Sequence, residues 1–282
     1  MELCWNKVPK PEEVIIQLDH AEKEQLGDGM LPSKLNKKFL HSYLNKRPGF
    51  FLLKTGITDE QETMQRLVYE KICTTIGNLN TRYGAFYDVK DYGGDYRESR
   101  IPVSQTHETT GFHTDSSALS YYPRYVGLMC VRPALSGGES LLANALDFLN
   151  YADRRMPECV ELLKIPVIRD IVTPGTEFSL ENLRANRFPV LNEDGEIPVF
   201  RYMRYWIERG HAKAENPLPK AYIDALNELD AFLEKTENQF VYLMESGDML
   251  IFNNTILLHN RTGFTNTSQT GKERLMVRTW ID

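Results

Sequence analysis

Apolar positions along the chain follow two different rhythms. Over the first third they recur at three- and four-residue intervals, as in Leu35, Phe39 and Tyr43, which predicts helices over residues 12–25 and 34–45. Pro48-Gly49 interrupts that rhythm, and the unbroken apolar run 50–53, closed by Gly56, reads as a short buried strand. Thr58, with Gln61 three residues on, marks the start of a further helix that runs to about Ile76. Later in the chain the apolar positions gather into short runs rich in β-branched, aromatic and aliphatic residues, at 125–131, 140–142, 199–205, 240–244, 249–252 and 275–281. Turn signals such as Ser136-Gly137-Gly138 and Ser246-Gly247-Asp248 separate many of these strands, and helical patterns occupy 145–155 and 219–237.

Short strands with inserted helices, lacking the regular alternation of a parallel α/β protein, predict a mainly β fold with flanking helices, its core a β-sandwich or a double-stranded β-helix (jelly roll). The chain shows no internal repeat and no Gly/Ser-rich linker. One domain over residues 1–282 is therefore expected, with a mostly helical flank over 1–85 and the core, with its helical and lid insertions, over 100–282. The polar, strand-poor stretches 170–196 and 206–218 are long enough to be insertions.

Composition narrows the function classes. The 282 residues are 41% hydrophobic and 26% charged with a formal net charge of −6, values of an ordinary globular protein. The net charge and the lack of a dominant basic run exclude nucleic acid as the expected partner. No apolar run approaches the roughly 18 residues of a membrane span. The first residues lack the basic and apolar regions of a secretory signal, so a cytoplasmic location is expected. Cys4, Cys73, Cys130 and Cys159 are scattered without CxxC spacing, and read as reduced thiols. His20, His41 and His211 are assigned surface or packing roles, and the pattern leaves the oligomeric state open.

Three segments carry candidate chemistry. In Gly111-Phe112-His113-Thr114-Asp115, residues two apart project from one face of an extended backbone, so His113 and Asp115 can share an ion. Imidazole with carboxylate suits a divalent transition metal better than calcium. In Asp248–Arg261, His259 closes the second of two apolar runs split by Asn253-Asn254, where a strand would open into a cavity mouth. In the last segment Arg274, Met276 and Arg278 share parity, and two inward arginines on an apolar strand need anionic partners. Each segment alone also admits a plainer reading: a chance His-x-Asp pair, a capped histidine at a strand end, an ordinary ion pair to protein carboxylates.

Taken together and in order, these segments resemble the Fe(II)/2-oxoglutarate dioxygenases of the taurine dioxygenase and clavaminate synthase-like superfamily. Tyr125–Arg132 is similar to the family's strand after the first metal motif. Gly137-Gly138-Glu139-Ser140 is similar to its Gly-Gly-acid-Ser/Thr turn, and Asp248–Asn254 to the strand leading to the distal histidine. The resemblance covers roughly residues 100–282. It implies that His113, Asp115 and His259 hold the iron and that Arg274 pairs with the C5 carboxylate of 2-oxoglutarate. It also implies that the Ser140 hydroxyl touches that cosubstrate, and that Arg278 helps hold cosubstrate or an anionic substrate group. Retention of Asp115 disfavours halogenation, for which related enzymes replace the carboxylate with a small residue.

The reaction so implied consumes O2 and 2-oxoglutarate, releases succinate and CO2, and hydroxylates or desaturates a C–H bond of a small molecule. Such a site needs a lid, for which 91–110, 170–196 and 206–218 are the candidates. Arg201, Arg204, Arg97, Gln105 and His107 are candidate substrate residues. Their polarity suits a small polar or zwitterionic substrate, an amino acid or derivative. Two rivals remain. One is a zinc-dependent hydrolase on the same three ligands, against which Arg274 argues. The other is a non-catalytic jelly-roll protein that binds metal or a small ligand.

Overall fold

Phe50-Phe51-Leu52-Leu53 is apolar at every position because the strand it forms is covered on both faces. Phe50 and Leu52 enter one core cluster, Phe51 and Leu53 another, and all four are fully buried. The computed structural model describes residues 2–82, 84–93, 103–170 and 179–282. In it, β1 (Ile15–Ile16), β2 (Phe50–Lys54), β3 (Tyr87–Val89), β4 (Tyr125–Arg132), β5 (Ser140–Asn144), β6 (Gln239–Tyr242), β7 (Asp248–Asn253), β8 (Leu257–Arg261) and β9 (Leu275–Ile281) form two sheets. The larger has the order β1-β2-β7-β4-β9-β3, the smaller β6-β5-β8. All pairings are antiparallel except that of β1 with β2.

One face of the larger sheet packs Met249, Ile251, Met129 and Val277 under Tyr69, Val68 and Ile72 of the helix Glu62–Ile76. The other face, with Leu250, Phe252 and Met276, joins the cluster that reaches the smaller sheet and the helices Ala145–Arg155 and Lys220–Leu233. Close sheet–helix approach depends on Gly127, paired between Ile251 and Thr279. A Cβ there would stand 2.5 Å from Tyr69 Oη and 3.1 Å from Thr279 Cγ2.

Several expected elements are redrawn by tertiary pairing. The helix expected over 12–25 is split: Pro11–Val14 is a single turn, Ile15 and Ile16 leave it to pair with Leu52 and Leu53, and a new helix His20–Gly27 begins behind Asp19. Asp19 and Glu22 form a capping box, each side chain accepting from the other's backbone N–H, at 2.9 Å. Thr58 makes no side-chain cap; residues Asp59–Gln61 form a 3-10 turn and the helix starts at Glu62. The strand expected over 199–205 is reduced to Val199–Phe200, and a helix Arg204–Lys213 follows.

That helix also corrects the reading of 206–218 as a lid. Ile207, Gly210 and His211 are buried, and a Cβ on Gly210 would lie 2.7 Å from the Asp170 nitrogen, so the segment is packed wall. Of the other two lid candidates, residues 94–102 and 171–178 lie outside the described residues. The remainder of 170–196 includes the helix Leu180–Ala185, the strand Arg187–Phe188 paired to Val167–Ile168, and Leu191–Asn192 paired to Val199–Phe200. No helix among the described residues is long and apolar enough to cross a membrane.

Candidate metal centre

His259 lies in β8, and its backbone exchanges two hydrogen bonds with His113: His113 N–H donates to the His259 carbonyl at 3.0 Å and His259 N–H to the His113 carbonyl at 2.8 Å. This cross-strand pairing joins two histidines that are far apart in the chain, with ring centroids 4.1 Å apart. Asp115 completes the cluster; ligand atoms of His113, Asp115 and His259 all lie within 4.8 Å of one another. Both Nε2 atoms stand 3.7 Å from the same carboxylate oxygen, Asp115 Oδ1.

The surroundings fix which atoms face the centre. Asn254 accepts from the Asp115 N–H at 2.7 Å and donates to the carbonyls of Asp115 (3.2 Å) and Pro123 (3.0 Å), holding the backbone after β7 against the Asp115 turn. Asp115 Oδ2 accepts from Trp280 Nε1 at 2.7 Å, and Arg278 Nη1 straddles the carboxylate, 3.4 Å from Oδ1 and 3.3 Å from Oδ2, while Oδ1 faces the histidines. His113 Nδ1 lies 2.9 Å from the Gly111 carbonyl, an acceptor only, so the proton sits on Nδ1 and the lone pair on Nε2.

Protonation follows from burial and neighbouring charge. Burial, then the His113 ring, lowers the His259 pKa to about 3; burial lowers that of His113 as well. Burial alone would raise the Asp115 pKa, but Arg278, the two histidines and the Trp280 hydrogen bond outweigh it and bring it to about 2. Two neutral imidazoles and one carboxylate at neutral pH are a donor set that would suit a divalent transition metal.

A second polar pocket is built around Phe264. Arg274 and Arg261 are both buried, with guanidinium carbons 4.9 and 4.7 Å from the Phe264 ring centroid. Arg261 Nη1 donates to the Thr106 carbonyl at 2.9 Å; its Nε and Nη2, and Arg274 Nη1, have no partner among the described residues. Burial lowers the Arg274 pKa to about 10; burial and the charge of Arg274 lower that of Arg261 to about 9. Gly138, at φ +82°, makes room: a Cβ there would lie 3.3 Å from Arg274 Nε. Ser140 is buried in β5 opposite Arg261 in β8, and its hydroxyl points to Met244 Sδ at 3.7 Å.

The remaining candidates separate. Arg274 and Arg278 keep the parity expected of them: Leu275 and Val277 enter one core cluster and Met276 the other, and the register shift beside Leu275 skips Val131 of β4, so the two arginines share a face but stand four residues apart along it. Arg278 therefore sits on Asp115 and against the Tyr87 and Trp280 rings, while Arg274 faces Phe264. Arg204 is spent on protein partners: Glu208 at 2.6 Å, Asn227 at 2.9 Å and Asp230 at 2.9 Å, because it opens a helix whose fourth residue on is an acid. Gln105 donates to Tyr87 Oη, and exposed His107 pairs with Asp91 at 3.1 Å. Arg201 is buried, and Arg97 lies outside the described residues.

His20 is exposed on Glu24, whereas His41 and His211 bind backbone carbonyls and pack. Sequence reasoning passed over Asn254, Arg261 and Trp280. Arg261 and Trp280 share parity with His259 and Arg278 respectively, a signal that was available.

The fold and this centre are those of a class of non-haem oxygenases. The structure superimposes on asparagine oxygenase in complex with Fe(II), 2S,3S-3-hydroxyasparagine and succinate with a TM-score of 0.75 at 17% identity, over 95% of this chain and 93% of that one. The chain belongs to the taurine catabolism dioxygenase TauD, TfdA family, whose model matches residues 18–280. Among curated relatives, FR-33289 synthase of Streptomyces rubellomurinus is 24% identical over 200 residues, 69% of this chain and 56% of that protein. Human gamma-butyrobetaine dioxygenase is 24% identical over 196 residues, 67% of this chain and 49% of that protein. The chain thus spans about half the length of these relatives.

Proposed function

We propose that this protein is an Fe(II)- and 2-oxoglutarate-dependent dioxygenase that hydroxylates or desaturates a C–H bond of a small polar substrate, an amino acid or derivative. The observation that carries this reading is the convergence of His113 Nε2, His259 Nε2 and Asp115 Oδ1 within 4.8 Å of one another, alongside a buried guanidinium, that of Arg274, with an unpartnered nitrogen. The two sheets are read as the walls of one double-stranded β-helix in a single domain. When bound, iron and 2-oxoglutarate supply the oxidising chemistry, with O2 consumed and succinate and CO2 released.

The chain's own residues do the positioning. His113, Asp115 and His259 hold the metal. Trp280 holds Asp115 Oδ2 and Arg278 spans both carboxylate oxygens, which turns Oδ1 toward the metal position. Arg274 takes the C5 carboxylate of the keto acid, since a buried guanidinium fork without a protein counter-ion matches a carboxylate in two-point geometry. Ser140 supports the same pocket from the paired strand. Phe252, with its ring 4.9 Å from that of His259, helps keep water from the centre. The asparagine oxygenase complex, which holds a hydroxylated amino acid with succinate, supports the amino-acid class of substrate.

The test is succinate release with Fe(II), ascorbate and 2-oxoglutarate against a panel of amino acids and small carboxylates. Iron-dependent, substrate-stimulated release that is lost in His113→Ala is the expected result. Zinc-supported hydrolysis without succinate, or tight ligand binding with no turnover across the panel, would replace this reading with one of its two rivals.

A further inference from the structure

Arg169 and Arg201 are a second pair of buried arginines, 0% and 7% exposed, converging on Phe188. The Arg201 guanidinium lies over the Phe188 ring, 3.8 Å from its centroid, with Tyr122 at 5.2 Å. Arg169 Nη2 donates to the carbonyls of Phe188 (3.4 Å) and Pro189 (3.0 Å). Arg201 Nη2 donates to the carbonyls of Leu119 and Ser117, and Arg169 Nε and Nη1 and Arg201 Nε have no partner among the described residues.

Two like charges out of water need an anion. Among the described residues no carboxylate pairs with either guanidinium. Asp170, next in sequence, has its Oδ2 taken by Arg209 and Lys213, each at 2.7 Å, and Asp230 is held by Tyr202 and Arg204. Burial lowers both pKa values, to about 9 for Arg169, where the charge of Arg201 adds to the effect, and to about 10 for Arg201.

The pair is tied to the metal ligands on two sides. Ser117 and Leu119, whose carbonyls hold Arg201, closely follow Asp115, and Met203, two residues beyond Arg201, bridges His113. Asn186 fastens the halves together, donating to the carbonyls of Ala118 (2.9 Å) and Arg169 (2.8 Å). Arg274 and Arg261 likewise are buried beside a phenylalanine with guanidinium nitrogens that lack a partner among the described residues.

We propose that Arg169 and Arg201 form an anion subsite, separate from the Arg274 pocket, that takes a carboxylate of the organic substrate. This rests on the oxygenase reading for the identity of the ligand, while the subsite itself is testable without turnover.

The probes are malonate and inorganic phosphate, read as shifts in thermal unfolding of the metal-free full chain. To silence the first pocket, the measurement is made in Arg274→Ala. Malonate is expected to raise Tm saturably in that background, because a ligand that binds only the folded state stabilises it. Adding Arg201→Met removes the shift, and Arg201→Lys, which keeps the charge but not the fork, weakens binding by about tenfold. A larger shift from phosphate than from malonate overturns the carboxylate assignment.

Without any anion, Arg201→Met should unfold no lower than its parent, since it relieves an unpaired charge. If Arg201→Met unfolds lower and malonate shifts both proteins equally or neither, the pair is structural and the proposal fails. In the succinate assay, Arg201→Met should raise KM for a carboxylate-bearing substrate about tenfold with KM for 2-oxoglutarate unchanged. Absence of succinate from the wild type would instead count against the oxygenase reading alone.

Discussion

The indole nitrogen of Trp280 donates to Asp115 Oδ2 at 2.7 Å, across 165 residues of chain. The carboxylate is thereby oriented: Oδ2 is held by the indole, and Oδ1, 3.4 Å from Arg278 Nη1, faces the two histidines. A carboxylate held this way is ready for one-point coordination before any metal arrives, and the ordering entropy is met during folding.

Trp280→Phe keeps the ring and removes the donor. Metal affinity should fall about 10- to 100-fold with the unfolding temperature little changed, as seen by Mn(II) titration of the apoprotein. An unaltered affinity would show that Arg278 alone orients Asp115.

Acid should destabilise the metal-free protein over a defined window. His259 titrates from 6.5 down to about 3 in the folded state, so the unfolded chain binds the extra proton between those values. The stabilising effect of the neutral, buried ring is fully present above about pH 6.5 and is lost as pH falls toward 3. Asp115, lowered from 3.8 to about 2, adds a loss of the same sign below pH 3.8. Denaturant midpoints measured across pH 3 to 8 should therefore fall on the acid side, and His259→Gln should flatten that fall above pH 4.

Gly138→Ala places a methyl group 3.3 Å from Arg274 Nε at a backbone φ of +82°. The left-handed conformation costs about 1–2 kcal/mol with a side chain present, and the guanidinium must shift. The expected result is a lower Tm together with a several-fold higher KM for 2-oxoglutarate. Arg274→Ala should raise that KM further while iron binding persists.

Gly127→Ala probes packing far from the ligands. Its methyl would meet Tyr69 Oη at 2.5 Å inside the sheet–helix interface, and overpacking of this kind costs about 1–3 kcal/mol. Lower stability with unchanged metal affinity is expected; a loss of metal binding as large as that in Trp280→Phe would mean the sheet cannot absorb the strain locally.

Much of this architecture was legible in short stretches. The run 50–53 announced a strand buried on both faces, the 145–155 helix was read to the residue, and His113-x-Asp115 with His259 announced a three-ligand centre. Identical-looking arginines were the opposite case. Arg201 and Arg204 share one apolar-aromatic stretch, yet Arg204 opens a helix and finds Glu208 and Asp230, whereas Arg201 is buried over Phe188. Arg274 and Arg278 share parity and a face, yet four residues of chain separate them, so one meets Phe264 and the other Asp115.

The amino-acid sequence by itself determined which residues could bind a metal and which runs had to be buried, because ligand chemistry and hydrophobic periodicity are properties of residues and their near neighbours. The partner of each charge was decided only by the tertiary structure. Partners at the site come from segments far away in the chain, 84 positions for Arg201 on Ser117 and 165 for Trp280 on Asp115. Their effect depends on distances of a few ångströms that strand register sets and local pattern does not encode.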